Sequence, residues 1–176
     1  TFTSANWNSP QTVTVTGVND LLADGNQLTT LTVSVDDATS SNEFDPVADQ
    51  TVSATTVDND TAGFTMVESG GSTSVNESGT TDTFTVVLTA QPAADVVLTV
   101  TSGDTGEATV SPATLTFTSA NWNSPQTVTV TGVNDLLADG NQVTTLTVAV
   151  DDATSSNEFD PVADQTVSAT TVDNDT

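Results

Sequence analysis

The stretch QTVTVTGV, residues 126–133, alternates polar and apolar side chains and has no helical period. Such alternation places every second side chain on the same face of a β-strand. Thr and Val, both favoured in strands, follow the same period of two along almost the whole chain. The sequence therefore predicts an all-β protein.

The same eight residues stand at positions 11–18, because residues 1–61 recur as residues 116–176. Only two positions differ: Leu28 is replaced by Val143 and Ser34 by Ala149. We interpret residues 1–61 as the C-terminal half of one repeat and residues 62–176 as one complete repeat. Tandem modules usually serve to span a distance, to stack, or to multiply a weak contact. A structural spacer is the first functional hypothesis.

Seven short strands are predicted in the complete repeat, at residues 63–68 continuing through 73–76, 82–89, 95–101, 114–118, 126–133, 143–150 and 165–172. This spacing indicates an antiparallel immunoglobulin-like β-sandwich, and the repeat is long enough to bury a core unaided. The predicted core comes from one face of each strand: Phe84, Val86, Leu88, Val96, Leu98, Val100, Leu115, Phe117, Val128, Val130, Leu146, Val148 and Val150. Trp122 is predicted to close one end of this core.

The chain has 24 acidic side chains and no Lys, Arg or His, so its formal charge is -24 and no side chain can neutralise an acid. Nucleic acid and anionic membranes would be repelled. No apolar run is long enough to span a bilayer, and no Cys is present to form a disulfide. We therefore predict neither nucleic-acid binding nor membrane insertion.

Catalysis is not expected either. No His or Lys is available to activate a Ser or Thr nucleophile. A pair of carboxylates for glycoside hydrolysis would need a cleft that holds sugar. The candidates Glu68, Glu77, Asp82 and Glu107 lack neighbouring aromatic residues that would form one. The chain is predicted not to be an enzyme.

Strand direction brings acidic loop residues together. Because successive strands alternate in direction, the loops after the first, third, fifth and seventh strands meet at one end of the sandwich, here named the upper pole. Its oxygen-bearing residues are Asn76, Glu77, Asp104, Asn134, Asp135, Asp139, Asp173, Asn174 and Asp175. Clustered carboxylates either take up protons or recruit a hard cation. Ca2+ suits irregular oxygen sites better than Mg2+, whereas Asx-turns are the alternative explanation for any single residue.

Three segments at these loops resemble Calx-beta domains: Val-Asn-Glu-Ser-Gly at residues 75–79, Val-Thr-Val-Thr-Gly-Val-Asn-Asp at 128–135, and Asp-Asn-Asp at 173–175. The junction at residues 58–63 is similar to the acidic run that ends one such domain and opens the next. The resemblance covers residues 62–176 and, for the second half of the domain, residues 1–61. It implies calcium ligands at Glu77, Asp104, Asp135, Asp139, Asp173 and Asp175, with counterparts in the first copy at Asp20, Asp24, Asp58 and Asp60.

The chain departs from the Calx-beta pattern at Asn134 and Asn174, which stand in place of acids, and at Ala138, where another acidic ligand is expected. Fewer charged ligands favour one or two structural ions over tight multi-ion sensing. Near-identical, Thr-rich, Lys-free repeats also resemble the extension regions of giant RTX-type adhesins. That resemblance implies a calcium-stabilised extender on a bacterial cell surface, with neighbouring repeats as its partners.

Two other functions stay open at this point. An adhesive module would bind carbohydrate, another cell or ice, and a threonine array on one exposed sheet would support it. Thr on both sheets would favour the spacer. A calcium sensor would need a large change of shape on metal loss.

The first copy lacks counterparts of Glu77 and Asp104 and supplies only the last four strands of a sandwich. We expect it to be completed by strands of another molecule or to be poorly ordered. Its apolar side chains would then face solvent: Phe2, Val13, Val15, Leu31, Val33 and Val35. At the pole opposite the upper one, Asp95 and the acidic loop 151–164 are predicted to form a second ion site or a solvated loop.

Overall fold

The computed structural model describes all residues from Thr1 to Thr176. They form two compact units. The first unit contains Thr1–Asp20 and Gly25–Asp58, and the second unit contains Leu21–Asp24 and Asn59–Thr176. None of the helical segments has the length and apolar character needed to cross a bilayer.

The first unit contains one antiparallel pair of strands, β1 (Gln27–Val33) and β2 (Gln50–Thr56). The second unit contains nine strands: β3 (Phe64–Glu68), β4 (Thr73–Asn76), β5 (Thr81–Leu88), β6 (Val96–Ser102), β7 (Ala108–Ser111), β8 (Thr114–Phe117), β9 (Gln126–Gly132), β10 (Gln142–Val150) and β11 (Gln165–Val172). One sheet has the order β4-β11-β10-β6-β8 and the other β3-β5-β9-β7. All pairs are antiparallel except β4 with β11. The predicted all-β, immunoglobulin-like sandwich is confirmed.

The core lies between the two sheets and follows the alternation of the strands. In β9, Val128 and Val130 are completely buried, while the alternating Thr127, Thr129 and Thr131 are exposed or only partly buried. Every predicted core residue is buried except Val150, which packs partly buried against the cluster. Trp122 also packs partly buried against it, as predicted. Burial of this apolar face is the main favourable contribution to folding of the second unit.

Two features of the strands differ from the sequence prediction. Strand β7 was not predicted; it has four residues and pairs with β9 in one sheet just before β8 begins in the other. The predicted first strand is divided into β3 and β4 by a turn in which Gly70 and Gly71 have φ values of 67° and 83°. Glycine adopts this left-handed conformation without a steric penalty, so the chain can leave one sheet and enter the other.

The first unit forms only two of its four predicted strands, β1 and β2, although its sequence nearly matches the end of the second unit. Val13 is 80% exposed and Val15 53% exposed, whereas their counterparts Val128 and Val130 are 0% exposed. Strand β9 is held between β5 and β7, and residues 1–61 contain no counterpart of either strand. Phe2 and Val33 are exposed as predicted, but Leu31 and Val35 are partly buried.

Candidate metal centre

The upper pole is formed where β4, β6, β9 and β11 end. Asn76 at the end of β4 pairs with Val172 at the end of β11, and Gly132 at the end of β9 pairs with Ala108 at the start of β7. The turn after β4, the β6–β7 loop, the β9–β10 loop and the segment after β11 therefore meet here. The predicted convergence of these loops follows from the strand directions.

The first cluster consists of the carboxylates of Glu77, Asp173 and Asp175, whose ligand oxygens lie within 4.8 Å of one another. Glu77 is only 2% exposed, and its N–H donates to the carbonyl oxygen of Val172 at 3.2 Å. Asp173 accepts hydrogen bonds at both carboxylate oxygens, from the N–H of Gly140 and from that of Asp175, each at 2.7 Å. The Oδ2 atom of Asp175 is buried and has no hydrogen-bond partner.

The second cluster consists of Glu107, Asp135 and Asp139, again with ligand oxygens within 4.8 Å of one another. Glu107 directly precedes β7, and its carbonyl oxygen accepts from the N–H of Val133 at 2.8 Å. This bond brings the start of the β9–β10 loop beside the glutamate. Asp135 Oδ1 accepts from the N–H of Leu137 at 2.7 Å and so shapes that loop. The Oε2 atom of Glu107 is buried without a hydrogen-bond partner.

The electrostatics of both clusters favour a neutralising cation. The N–H of Asn174 donates to Glu77 and lowers its pKa, but burial and the charges of Asp173, Asp135 and Asp175 together outweigh this bond and raise the pKa. Burial is the largest cause that raises the pKa of Glu107. The charges of Asp139, Asp135, Asp104 and Glu77 raise it further. Asp135 acts on both glutamates, so the two clusters are electrostatically coupled.

Most of the predicted acidic ligands of the complete repeat lie in these clusters: Glu77, Asp135, Asp139, Asp173 and Asp175. Asp104 lies in neither cluster. Its Oδ1 accepts a hydrogen bond from the N–H of Gly106 at 2.9 Å, which forms the Asx-turn considered above as the alternative to metal binding. The side chain of Asn174 donates to Oδ1 of Asn134 at 3.3 Å, which joins two of the loops. Asp135 and Asp173 form Asx-type bonds and also belong to clusters, so the two interpretations are compatible.

Glu107 was not among the predicted site residues because β7 was not predicted. The alternating Ala-Thr-Val-Ser at residues 108–111 is a strand signal, and a strand that descends from the upper pole places the preceding residue at that pole. The segment is too short for alternation to indicate a strand clearly, because four residues before Pro112 are equally compatible with a loop.

The first copy presents no cluster of three acidic residues, and neither does the pole opposite the upper one. The N–H of Gly25 donates to Asp58 Oδ2 at 2.7 Å, as that of Gly140 does to Asp173. Residues 1–61 contain no counterpart of Glu77 or Glu107. Metal binding by Asp20, Asp24, Asp58 and Asp60 stays a prediction.

The raised pKa values of Glu77 and Glu107 predict that the metal-free protein loses stability as pH rises above the ordinary glutamate pKa of 4.5. Between the ordinary glutamate pKa of 4.5 and the raised values, the folded state binds more protons than the unfolded state. Stability therefore falls as pH rises through this window. The pKa of Asp82 is lowered, first by the hydrogen bond from the N–H of Ser74. This shift makes stability fall as pH drops, but only below the ordinary pKa of 3.8.

Urea denaturation of metal-stripped protein at pH 5 and pH 7 measures this effect, with a higher midpoint expected at pH 5. A double variant, Glu77→Gln with Glu107→Gln, is expected to lose most of the difference. The part that persists in the double variant reports general repulsion among the other acids. An unchanged difference would mean that the two glutamates do not carry the effect.

No protein-family model and no curated protein matches the chain. Among solved structures it is similar to the apo form of the Calx CBD1 domain, with 12% identity and a TM-score of 0.45 over 64% of this chain and 98% of that one. The E. coli chaperone DraB gives 7% identity and a TM-score of 0.45, over 64% of this chain and 57% of DraB. Domains 4 and 5 of the S-layer protein SbsC give 22% identity and a TM-score of 0.40, over 70% of this chain and 63% of that one. Each likeness concerns the fold alone.

Proposed function

We propose that the chain is part of a calcium-stabilised extender in a large bacterial cell-surface adhesin, which projects a ligand-binding tip away from the cell. The observation that carries the proposal is the buried carboxylate of Glu77 against Asp173 and Asp175, in a chain without a cationic side chain. Burying an ion without a compensating charge is costly. A bound cation supplies the compensation that the protein lacks.

The donor atoms of both clusters fit Ca2+. All are oxygens, and Ca2+ accepts about six to eight of them in irregular geometry. Asp175 Oδ2 and Glu107 Oε2 are buried without a hydrogen-bond partner, which a coordinated cation would satisfy. Glu77, Asp173 and Asp175 would hold one ion, and Glu107, Asp135 and Asp139 a second. When bound, Ca2+ supplies positive charge that joins the four loops of the upper pole.

Repetition supports the extender part of the proposal. Two copies that differ at two positions over 61 residues are typical of an array in which each module contributes length. The partners of the second unit are then neighbouring repeats of an extracellular protein. The exposed apolar side chains of the first unit suit completion by strands that would precede residue 1 in an array, or by another molecule.

An adhesive module is supported less well. Outward-facing Thr pairs occur on both sheets, such as Thr83 with Thr129 in the four-stranded sheet and Thr147 with Thr166 in the five-stranded sheet. A single specialised threonine surface would concentrate them on one. Their presence on both sheets supports the spacer.

Calorimetric titration of Ca2+ into metal-stripped protein tests the proposal. We expect one or two ions per chain. Asp135→Ala should weaken binding roughly tenfold or more, because Asp135 contributes charge to both clusters.

Asp152→Ala is the matched control, since it removes one exposed carboxylate in the β10–β11 loop, outside both clusters. It should leave the binding isotherm unchanged. Equal loss in the two variants would place the ions elsewhere, and the absence of any binding heat and any stabilisation by Ca2+ would overturn the proposal.

A further inference from the structure

The tetrapeptide Leu-Leu-Ala-Asp occurs twice, at Leu21–Asp24 and at residues 136–139, and its two environments differ. Leu21–Asp24 belongs to the second unit. There Leu22 forms an isolated parallel bridge with Gln91, in the β5–β6 loop. The N–H of Gln91 donates to the carbonyl oxygen of Leu21 at 2.8 Å, and the N–H of Ala23 donates to the carbonyl oxygen of Gln91 at 3.4 Å.

The second occurrence is exposed and strained. Leu136 is 78% exposed and Leu137 is 61% exposed. Leu136 is also the only residue other than glycine with a positive φ, at 80°, a conformation that is unfavourable for a bulky side chain. Its counterpart Leu21, which is hydrogen-bonded to Gln91, does not have a positive φ. The bonded form of the segment thus lacks the strain of the exposed form.

We propose that residues 136–139 dock on the next repeat of the array, at the glutamine that corresponds to Gln91. The binding partner of this exposed loop is thus a further copy of the same module. The contact consists of main-chain hydrogen bonds like those between Leu21–Asp24 and Gln91. Docking would release the left-handed conformation of Leu136 and cover the two exposed leucines in part.

The location of the two surfaces suits a head-to-tail contact. Residues 136–139 lie in the β9–β10 loop at the upper pole, whereas Gln91 follows β5, which runs away from that pole. A contact between different surfaces of identical modules propagates in one direction and builds a linear array. The Gln91 loop is well anchored, since its side chain donates to the carbonyl oxygen of Ser119 at 3.2 Å and the adjacent Ala90 is 1% exposed.

The covalent connection between copies strengthens this contact. Thr89 lies two residues before Gln91, and its N–H and hydroxyl donate to the carbonyl oxygens of Gly63 and Thr61, each at 2.9 Å. The chain that enters a copy is therefore held close to its docking site. Two hydrogen bonds are weak between free molecules, but a short tether gives a high effective concentration.

The inference rests on the tandem arrangement in the proposed function but does not require Ca2+. Asp135 and Asp139 flank the docking leucines and belong to the second acidic cluster. An ion there would order the segment that docks, so calcium is expected to strengthen the contact rather than create it.

The test uses the full chain extended at its C-terminus by one further copy of residues 62–176. Hydrogen exchange followed by NMR reports the amide of the added glutamine that corresponds to Gln91. Leu137→Asp should accelerate its exchange by about tenfold or more, because the charged side chain and lost packing open the docked segment. Gln91 itself is the internal control and should not change. Leu22→Asp should produce the converse pattern.

Ala138→Pro provides a second variant, since it removes the N–H that corresponds to the Ala23 donor without adding charge. Slow exchange of the Val128 and Val130 amides confirms that each variant is folded. Fast exchange of the added glutamine in the parent chain, or exchange that neither variant alters, would overturn the inference. Protection that persists in chelator, together with a calorimetric titration that shows no calcium binding, would reject the proposed calcium role while leaving the docking contact in place.

Discussion

Replacing Gly132 with alanine is expected to destabilise the second unit by about 1–3 kcal/mol, the usual cost of overpacking a closed site. A Cβ atom at this position would lie 2.1 Å from the carbonyl oxygen of Asn76 and 2.8 Å from its carbonyl carbon. Both are main-chain atoms at the end of β4, so no side-chain rotation relieves the clash. Asn76 precedes Glu77, and its displacement should also weaken calcium binding. Urea denaturation and calorimetry measure the two effects.

Gly17→Ala is the matched control, because Gly17 occupies the same position in the first copy. Its Cβ would meet only Cγ2 of Thr56, at an ordinary contact distance of 3.5 Å. This variant should leave stability and calcium binding nearly unchanged. Similar losses in both variants would point to a backbone preference for glycine rather than to the contact with Asn76.

The core of the second unit could be predicted from sequence because its strands alternate strictly. In β5, β6, β9 and β10, a period of two fixes which side chains face inward, and one buried face determines the register. The direction of the strands then determines which loops share a pole. Strand direction alone therefore predicts that Glu77, Asp173 and Asp175 lie close together, as they do in the structure.

Glu107 and Asp104 lie in the same loop, and strand direction alone does not distinguish them. Both follow β6, but only Glu107 lies directly before a strand whose first residue pairs with Gly132. Which acid of the loop joins the cluster depends on a short strand of four residues, and such strands give a weak periodic signal. Asp104 instead uses its carboxylate to close the turn at Gly106.

The first copy shows that local sequence alone does not determine a strand. Residues 11–18 and 126–133 are identical, but only the latter contain a strand. Pairing with β5 and β7 provides the hydrogen bonds and the apolar surface that β9 needs. Residues 11–18 lack counterparts of β5 and β7, so Val13 and Val15 remain exposed.

Removing calcium is expected to lower the melting temperature of the second unit by about 10 °C. When free Ca2+ is at about 100 times the dissociation constant of one site, binding stabilises the native state by roughly 2.7 kcal/mol. The melting temperature of a module of this size changes by several degrees per kcal/mol. The physical reason is repulsion among six carboxylates in two coupled clusters, with no Lys, Arg or His to oppose it. Calorimetric melting in millimolar Ca2+ and in excess chelator measures the difference.

Salt separates general charge repulsion from specific coordination. Monovalent salt screens exposed carboxylates over about 10 Å at 0.1 M but acts much less on buried ones. It should therefore recover only part of the loss, because Glu77 is 2% exposed and Asp175 Oδ2 and Glu107 Oε2 are buried. Full recovery by NaCl would mean that calcium merely screens the charge of -24. Identical melting curves in Ca2+ and in chelator at low salt would show that no structural ion stabilises the protein. The proposal that calcium holds the loops of the upper pole together would then be rejected.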